Sequence, residues 1–147
     1  MGKDTKGRVL IVEDDMLLSM VEERLVKKLG FDVIGKATNG AEAVEKSQEL
    51  SPDIIIMDIS LKGEMDGIET METIRKSSGV PVIYLSGSSD RYNLERAKKT
   101  GFSDYLTKPV TSGDLKEPLI SALHQNPQQK ANGSSDTTGE RRFNRTA

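Results

Sequence analysis

The residues of this sequence best equipped to act together are the acids Glu13, Asp14 and Asp58, the hydroxyl of Ser86 and the cation of Lys108. Gathered into one site, three carboxylates repel one another and raise one another's pKa unless positive charge joins them. A hard divalent cation meets that need, and magnesium typically takes one or two carboxylates together with waters and phosphate oxygens. The charges balance, because three carboxylates contribute −3 while one Mg2+ and Lys108 contribute +3. Asp58 would then be a carboxylate nucleophile able to form an acyl phosphate. Lysine, hydroxyl and cation would stabilise the added charge, in a chemistry that relies on positioning and electrostatics. Each residue taken alone has a plainer reading: Asp14 or Asp15 as a helix cap, Ser86 as a turn residue, Lys108 as a solvated charge. What sets them apart is convergence on one edge of one sheet.

That edge follows from the pattern of elements. Short apolar runs predict strands at Val9–Val12, Phe31–Ala37, Asp53–Met57, Val80–Leu85 and Phe102–Leu106. Three of them are nearly continuous in apolar character, as strands buried on both faces are. Helical spacing lies between them. Leu18, Val21, Leu25 and Leu29 share one helical face, and Gly30 supplies a stop. Asn39 with Glu42, and Asp66 with Glu69, have the spacing of an N-cap and its reciprocal acid. Asp90 or Ser89 caps the next helix, which Gly101 ends; a last helix runs from about Asp114 to His124. Strand–helix alternation of this kind predicts an α/β fold, a doubly wound parallel sheet of five strands with five helices on its two faces. In such a sheet ligands bind beyond the carboxyl ends of the strands. Those ends carry Glu13-Asp14-Asp15, Asp58, Ser86-Gly87 and Lys108-Pro109.

The chain of 147 residues with 35% hydrophobic and 30% charged side chains suits one domain. Its net charge of −2 gives no basic footprint for nucleic acid, and zero cysteines exclude thiolate chemistry and disulfides. No signal peptide or membrane span is legible, so the cytoplasm is the default location. Residues 1–7 read as a short N-terminal tail, 8–124 as the domain, and 125–147 as a polar, disordered tail or linker with Phe143 its one large apolar residue.

Five ordered stretches resemble a response-regulator receiver domain of two-component signalling: Val9–Asp15, Asp53–Asp58, Met65–Glu69, Val80–Ser86 and Gly101–Pro109. The resemblance implies a flavodoxin-like sheet of order 2-1-3-4-5. It implies that Asp58 accepts a phosphoryl group from the phosphohistidine of a sensor histidine kinase or histidine phosphotransfer protein. It also implies Mg2+ ligation by Asp14, by Glu13 mainly through water, by Asp58 and by the carbonyl of Ser60. Lys108 would pair with the phosphoryl oxygens before a cis bond to Pro109. Ser86 would move toward the phosphoryl group and Tyr105 would turn inward, a two-state switch. Such a protein is not an enzyme on external substrates; it signals to a downstream protein, here unknown, by contact. The face of helix four, strand five and helix five, with Lys98 and Lys99, is a candidate for self-pairing.

Two departures stand out. The loop Leu61–Gly67 lacks the proline common in the family and is one residue longer, and Pro118 lies near the start of the last helix. His124 reads as a surface residue near a helix end, and Ser60 and Ser88 flank the site. Two other readings compete. A receiver-like scaffold that is never phosphorylated would not need the full set of acids, hydroxyl and lysine. A flavodoxin-like cofactor protein would need a phosphate cradle after strand one, where the acid run has the wrong sign. No output domain follows Lys108-Pro109 in this sequence, which favours a stand-alone receiver or one cut from a longer regulator.

Overall fold

The structure, a computed structural model, describes residues 5–87 and 91–125. Strands and helices alternate in the order β1 (Arg8–Val12), α1 (Met16–Lys28), β2 (Asp32–Ala37), α2 (Gly40–Leu50), β3 (Ile54–Asp58), α3 (Gly67–Ile74), β4 (Val82–Ser86), α4 (Arg91–Lys98), β5 (Asp104–Thr107) and α5 (Ser112–Gln125). The sheet is parallel throughout and its order is β2-β1-β3-β4-β5, so the doubly wound topology is the one expected.

Alternation along the strands divides the core in two. Leu10, Val12, Ile55, Met57, Val82 and Tyr84 face one side, with Ala43, Ile68, Met71 and Ala97 from α2, α3 and α4. Val9, Ile11, Ile54, Ile56, Ile83 and Leu85 face the other, with Val26, Leu115 and Leu119 from α1 and α5. Ile54, Ile55, Ile56 and Met57 are all fully buried, each side chain contributing about 1.5–3 kcal/mol. That makes β3, the central strand, a rigid stem for the Asp58 at its tip.

Caps fix where the helices begin. The Asp15 carboxylate accepts from Leu18 N at 3.0 Å, and Asp66 with Glu69 forms a complete reciprocal box. Asn39 caps α2 as expected, but Glu42 accepts from Thr38 N at 2.8 Å rather than from Asn39. Ser89 and Asp90, the expected cap of α4, lie outside the described residues, as does everything after Gln125.

Two expectations need correcting. The stripe Leu18–Val21–Leu25–Leu29 is not the side that α1 buries most deeply: Ser19, Glu22 and Val26 are, while Val21 is exposed. The first half of α1 is apolar nearly all the way round, so periodicity could not select a direction, and packing on the sheet did. The last helix starts earlier than Asp114. Thr111 caps it, with Asp114 N donating to Thr111 Oγ1 at 3.1 Å and Thr111 N donating to Asp114 Oδ2 at 3.0 Å. Pro118 therefore lies inside α5, beyond the first turn, where it is buried. The helix also carries Gln125, which Ser103 Oγ contacts at 2.6 Å.

Candidate functional site

β1, β3, β4 and β5 end side by side, and their ends carry the site. Glu13 follows β1 and is held in the sheet by its backbone N–H to Ala37 O at 3.0 Å. Asp58 ends β3 and Ser86 ends β4, both almost fully buried at 2% and 1% exposure. Lys108 follows β5; its N–H donates to Ser86 O at 2.8 Å, and the next peptide bond, to Pro109, is cis.

Side chains then converge. Lys108 Nζ lies 3.2 Å from Asp58 Oδ1 and 3.4 Å from Glu13 Oε1. Asp58 Oδ1 also accepts from Ser60 N at 3.0 Å, and Glu13 Oε2 from Asp15 N at 3.2 Å. Glu13, Asp14 and Asp58 each offer a carboxylate oxygen, and these oxygens lie within 4.8 Å of one another. The open pocket above them is lined by Glu13, Asp14, Asp58, Ser60, Lys62 and Lys108 among others. An all-oxygen donor set that is half exposed at Asp14 and buried at Glu13 and Asp58 fits a hard, partly hydrated cation such as Mg2+.

The atypical loop after Asp58 has a definite place here. Leu61 is buried and anchors it, Gly63 turns it at φ 108°, and Lys62 N donates to Asp14 Oδ2 at 3.0 Å. The loop thus orients one of the acids. Gly67, at its far end, packs directly on the Asp58 backbone: a Cβ there would lie 2.2 Å from Asp58 O.

The charges perturb one another. Burial pushes the Glu13 carboxyl up and the Asp58 charge adds to this, while hydrogen bonds from Glu22 and Asp15 and the charge of Lys108 oppose it. Burial alone would lower the Lys108 ammonium, but Asp58 and Glu13 outweigh it and hold its pKa above the ordinary lysine value. Sequence reasoning missed one member of this network. Glu22, 3% exposed on α1, is pushed up to about 9 by burial and by the neighbouring Glu13 carboxyl. The available signal was an acid at the centre of the Ser19–Glu22–Val26 spacing.

Tyr105 sits on β5 with its hydroxyl oxygen buried and lacking a hydrogen-bond partner among the described residues. Its ring packs at 5.8 Å from Phe102 and 6.4 Å from Tyr84, whose own hydroxyl bonds Thr100 Oγ1 at 2.7 Å. Ser88 lies outside the described residues, and His124 is exposed in the last turn of α5.

A doubly wound sheet with three acids and a lysine at its carboxyl edge defines a phosphoacceptor class of signalling protein. Residues 9–120 match the response regulator receiver domain family, and this chain belongs to it. It is 39% identical over 120 residues to the chemotaxis protein CheY of Thermotoga maritima, covering 81% of this chain and 96% of that protein. It is 36% identical over 108 residues to the transcriptional regulatory protein PdtaR of Mycobacterium tuberculosis, covering 74% of this chain but 52% of that protein. The chain thus spans nearly all of one relative and about half of the other. The signal receiver domain of a modulated diguanylate cyclase from Desulfovibrio desulfuricans G20 superposes with a TM-score of 0.77 at 36% identity, covering 84% of this chain and 98% of that one. As in this family, the acid cluster serves Mg2+-dependent phosphotransfer, and the chain catalyses only its own phosphorylation and dephosphorylation. Among the described residues no helix is long and apolar enough to cross a membrane.

Proposed function

We propose that Asp58 is the phosphoacceptor, that it takes its phosphoryl group from a phosphohistidine of a kinase or phosphotransfer protein, and that Ser86 and Tyr105 convert the added charge into a changed surface. The observation that carries this is the Asp58 carboxyl on the pocket floor, with Oδ1 held by Lys108 Nζ at 3.2 Å and Ser60 N at 3.0 Å. Those two bonds leave Oδ2 for attack. The Oδ2–phosphorus bond forms as the phosphorus–nitrogen bond to the donor histidine breaks, and the imidazole keeps the electron pair and takes up a proton. Lys108 already faces the acceptor and pairs with the incoming phosphoryl oxygens. Glu13, Asp14, Asp58 and the Ser60 carbonyl would hold Mg2+, which when bound neutralises and orients the phosphoryl oxygens.

The donor must reach over the pocket rim. Met16 and Leu17 are exposed at the pocket on α1, and Met20 and Val21 are exposed further along the same helix, an apolar surface that suits a protein donor. Residues 8–124 form the receiver in this reading, with 1–7 an N-terminal tail and 125–147 a polar tail or linker; the protein works in the cytoplasm and signals by contact. The α4–β5–α5 face, where Lys98 and Lys99 are exposed, is the surface offered for self-pairing.

The test is incubation with Mg2+ and a small phosphodonor, followed by intact-mass measurement. A single phosphoryl adduct is expected on the native chain and none on Asp58→Asn. Absence of an adduct on the native chain would leave the never-phosphorylated scaffold as the better reading. An adduct that persists in the variant would move the acceptor elsewhere.

A further inference from the structure

We propose that Lys62 is a second cation for the incoming phosphoryl group, binding the donor's oxygens from the loop side of the pocket. Two cations, Lys62 and Lys108, line that pocket, and they are held differently. Lys108 is bound to the acids of the floor, with Nζ 3.2 Å from Asp58 Oδ1 and 3.4 Å from Glu13 Oε1. Lys62 is exposed and has no ion-pair partner among the described residues. Its place is set by the main chain. Leu61 is buried on one side of it and Gly63 turns the chain on the other at φ 108°, while Lys62 N donates to Asp14 Oδ2 at 3.0 Å. The ammonium is thus carried at the pocket border on a flexible four-carbon stem. A proline at this position would supply neither the N–H nor the charge.

The charge of the site gives this cation a purpose. Mg2+ when bound, together with Lys108, offsets Glu13, Asp14 and Asp58, and Asp15 adds another acid to the lining. No excess of positive charge is left for a donor, whose phosphoryl group brings about two negative charges at neutral pH. Lys62 is the lining cation not already engaged with a carboxylate. A strongly hydrated, mobile ammonium suits an oxygen-rich anion that must both enter and leave. Lys62 makes and breaks no covalent bond; it draws the donor in and holds its oxygens while Asp58 attacks. The inference rests on Asp58 as the phosphoacceptor.

Lys62→Gln keeps the N–H and much of the length but no charge, whereas Lys62→Arg keeps the charge. Each is compared with the wild-type chain in two measurements. The first is the rate of adduct formation from acetyl phosphate in saturating Mg2+, at low and at high salt. The second is calorimetric titration with Mg2+ alone. The Gln variant is expected to react roughly two- to fivefold more slowly at low salt, the worth of an exposed charge pair. That loss is expected to fade in about 1 M salt, where the screening length is about 3 Å. Its Mg2+ affinity is expected to equal or exceed that of wild type, because a cation beside a metal site repels the metal. The Arg variant is expected to keep the wild-type rate. A Gln variant as fast as wild type at low salt, or an equal loss in Gln and Arg, would overturn the role of Lys62 alone. A slower Gln variant that also binds Mg2+ more weakly would make Lys62 a structural prop of Asp14 and overturn it too. No adduct on the wild-type chain would overturn the acceptor reading itself, and the role of Lys62 with it.

Discussion

Replacing Gly67 with alanine adds one methyl group where the chain after the acceptor strand folds back on itself. The new Cβ would lie 2.2 Å from Asp58 O, 2.9 Å from Ile59 Cα and 3.0 Å from Asp58 C. Cβ atoms essentially never come closer than 3.0 Å to such neighbours, so backbone must move by at least 0.8 Å. Neither side yields easily. Asp58 ends the central strand, and Gly67 is tied down by its N–H to Ile59 O at 2.9 Å and by the Asp66–Glu69 box. Overpacking against stiff surroundings costs about 3 kcal/mol. Against that, alanine is about 1 kcal/mol better than glycine in a helix, partly through the unfolded chain. The clash wins by about 2 kcal/mol, which lowers the melting temperature by about 7 °C in a domain of this size. Gly87→Ala is the control, since nothing among the described residues lies within 4 Å of a Cβ there. Its stability is expected to stay within about 0.5 kcal/mol of wild type. Thermal and urea unfolding of the two variants decide the matter. If Gly67→Ala melts with Gly87→Ala, the close approach does not constrain the loop, and the reasoning fails.

Burial pushes the Tyr84 hydroxyl up to about 12 from its ordinary 10.0. Between those values the folded chain holds a proton that the unfolded chain has released, so wild-type stability falls as pH rises through that window; Tyr84→Phe loses this slope, and urea titrations at several alkaline pH values show it. At neutral pH the same variant forfeits the bond to Thr100, at a cost of about 1 kcal/mol. Asp66→Ala removes the side-chain cap on Glu69 N and the Arg96 ion pair at 2.9 Å together, while the bond from its backbone N–H to Glu69 stays, costing about 1–2 kcal/mol in urea unfolding. Arg96→Ala breaks the partly exposed ion pair together with a long bond to Asn93 Oδ1 at 3.4 Å and the contact over the Tyr92 ring at 5.5 Å, and costs about 0.5–1 kcal/mol while leaving the cap in place. Met20→Glu places charge among the exposed apolar residues of α1: the rate with a small phosphodonor should be unchanged and the rate from a phosphohistidine protein reduced. Equal rates from the protein donor would place its docking surface away from α1.

Much of the site was legible because a parallel sheet sends its ligands to one edge, and the strand ends can be read off in order. Glu13, Asp14, Asp58, Ser86 and Lys108 all arrive where that rule puts them. Strand identity was equally plain, since Ile54-Ile55-Ile56-Met57 has no other comfortable place than the middle of a sheet. Boundaries were less so: β4 runs to Ser86 and α5 begins before Asp114, because Thr111 and Asp114 cap each other.

What the sequence determined by itself was the order of the elements and the chemistry at their ends, both of which follow from local composition and from the one edge a doubly wound sheet offers. What the tertiary structure decided was direction. An α1 whose first turns are apolar nearly all round could have faced the sheet several ways, and the packed orientation buries Ser19, Glu22 and Val26 while leaving Met16, Leu17, Met20 and Val21 outside. That rotation buries Glu22 and sets Met16 and Leu17 at the border of the pocket. The loop after Asp58 was decided in the same way, its Lys62 N–H meeting Asp14 only after β1 and β3 lie side by side. Contacts between segments far apart in the chain depend on how faces pack, and no local pattern records that.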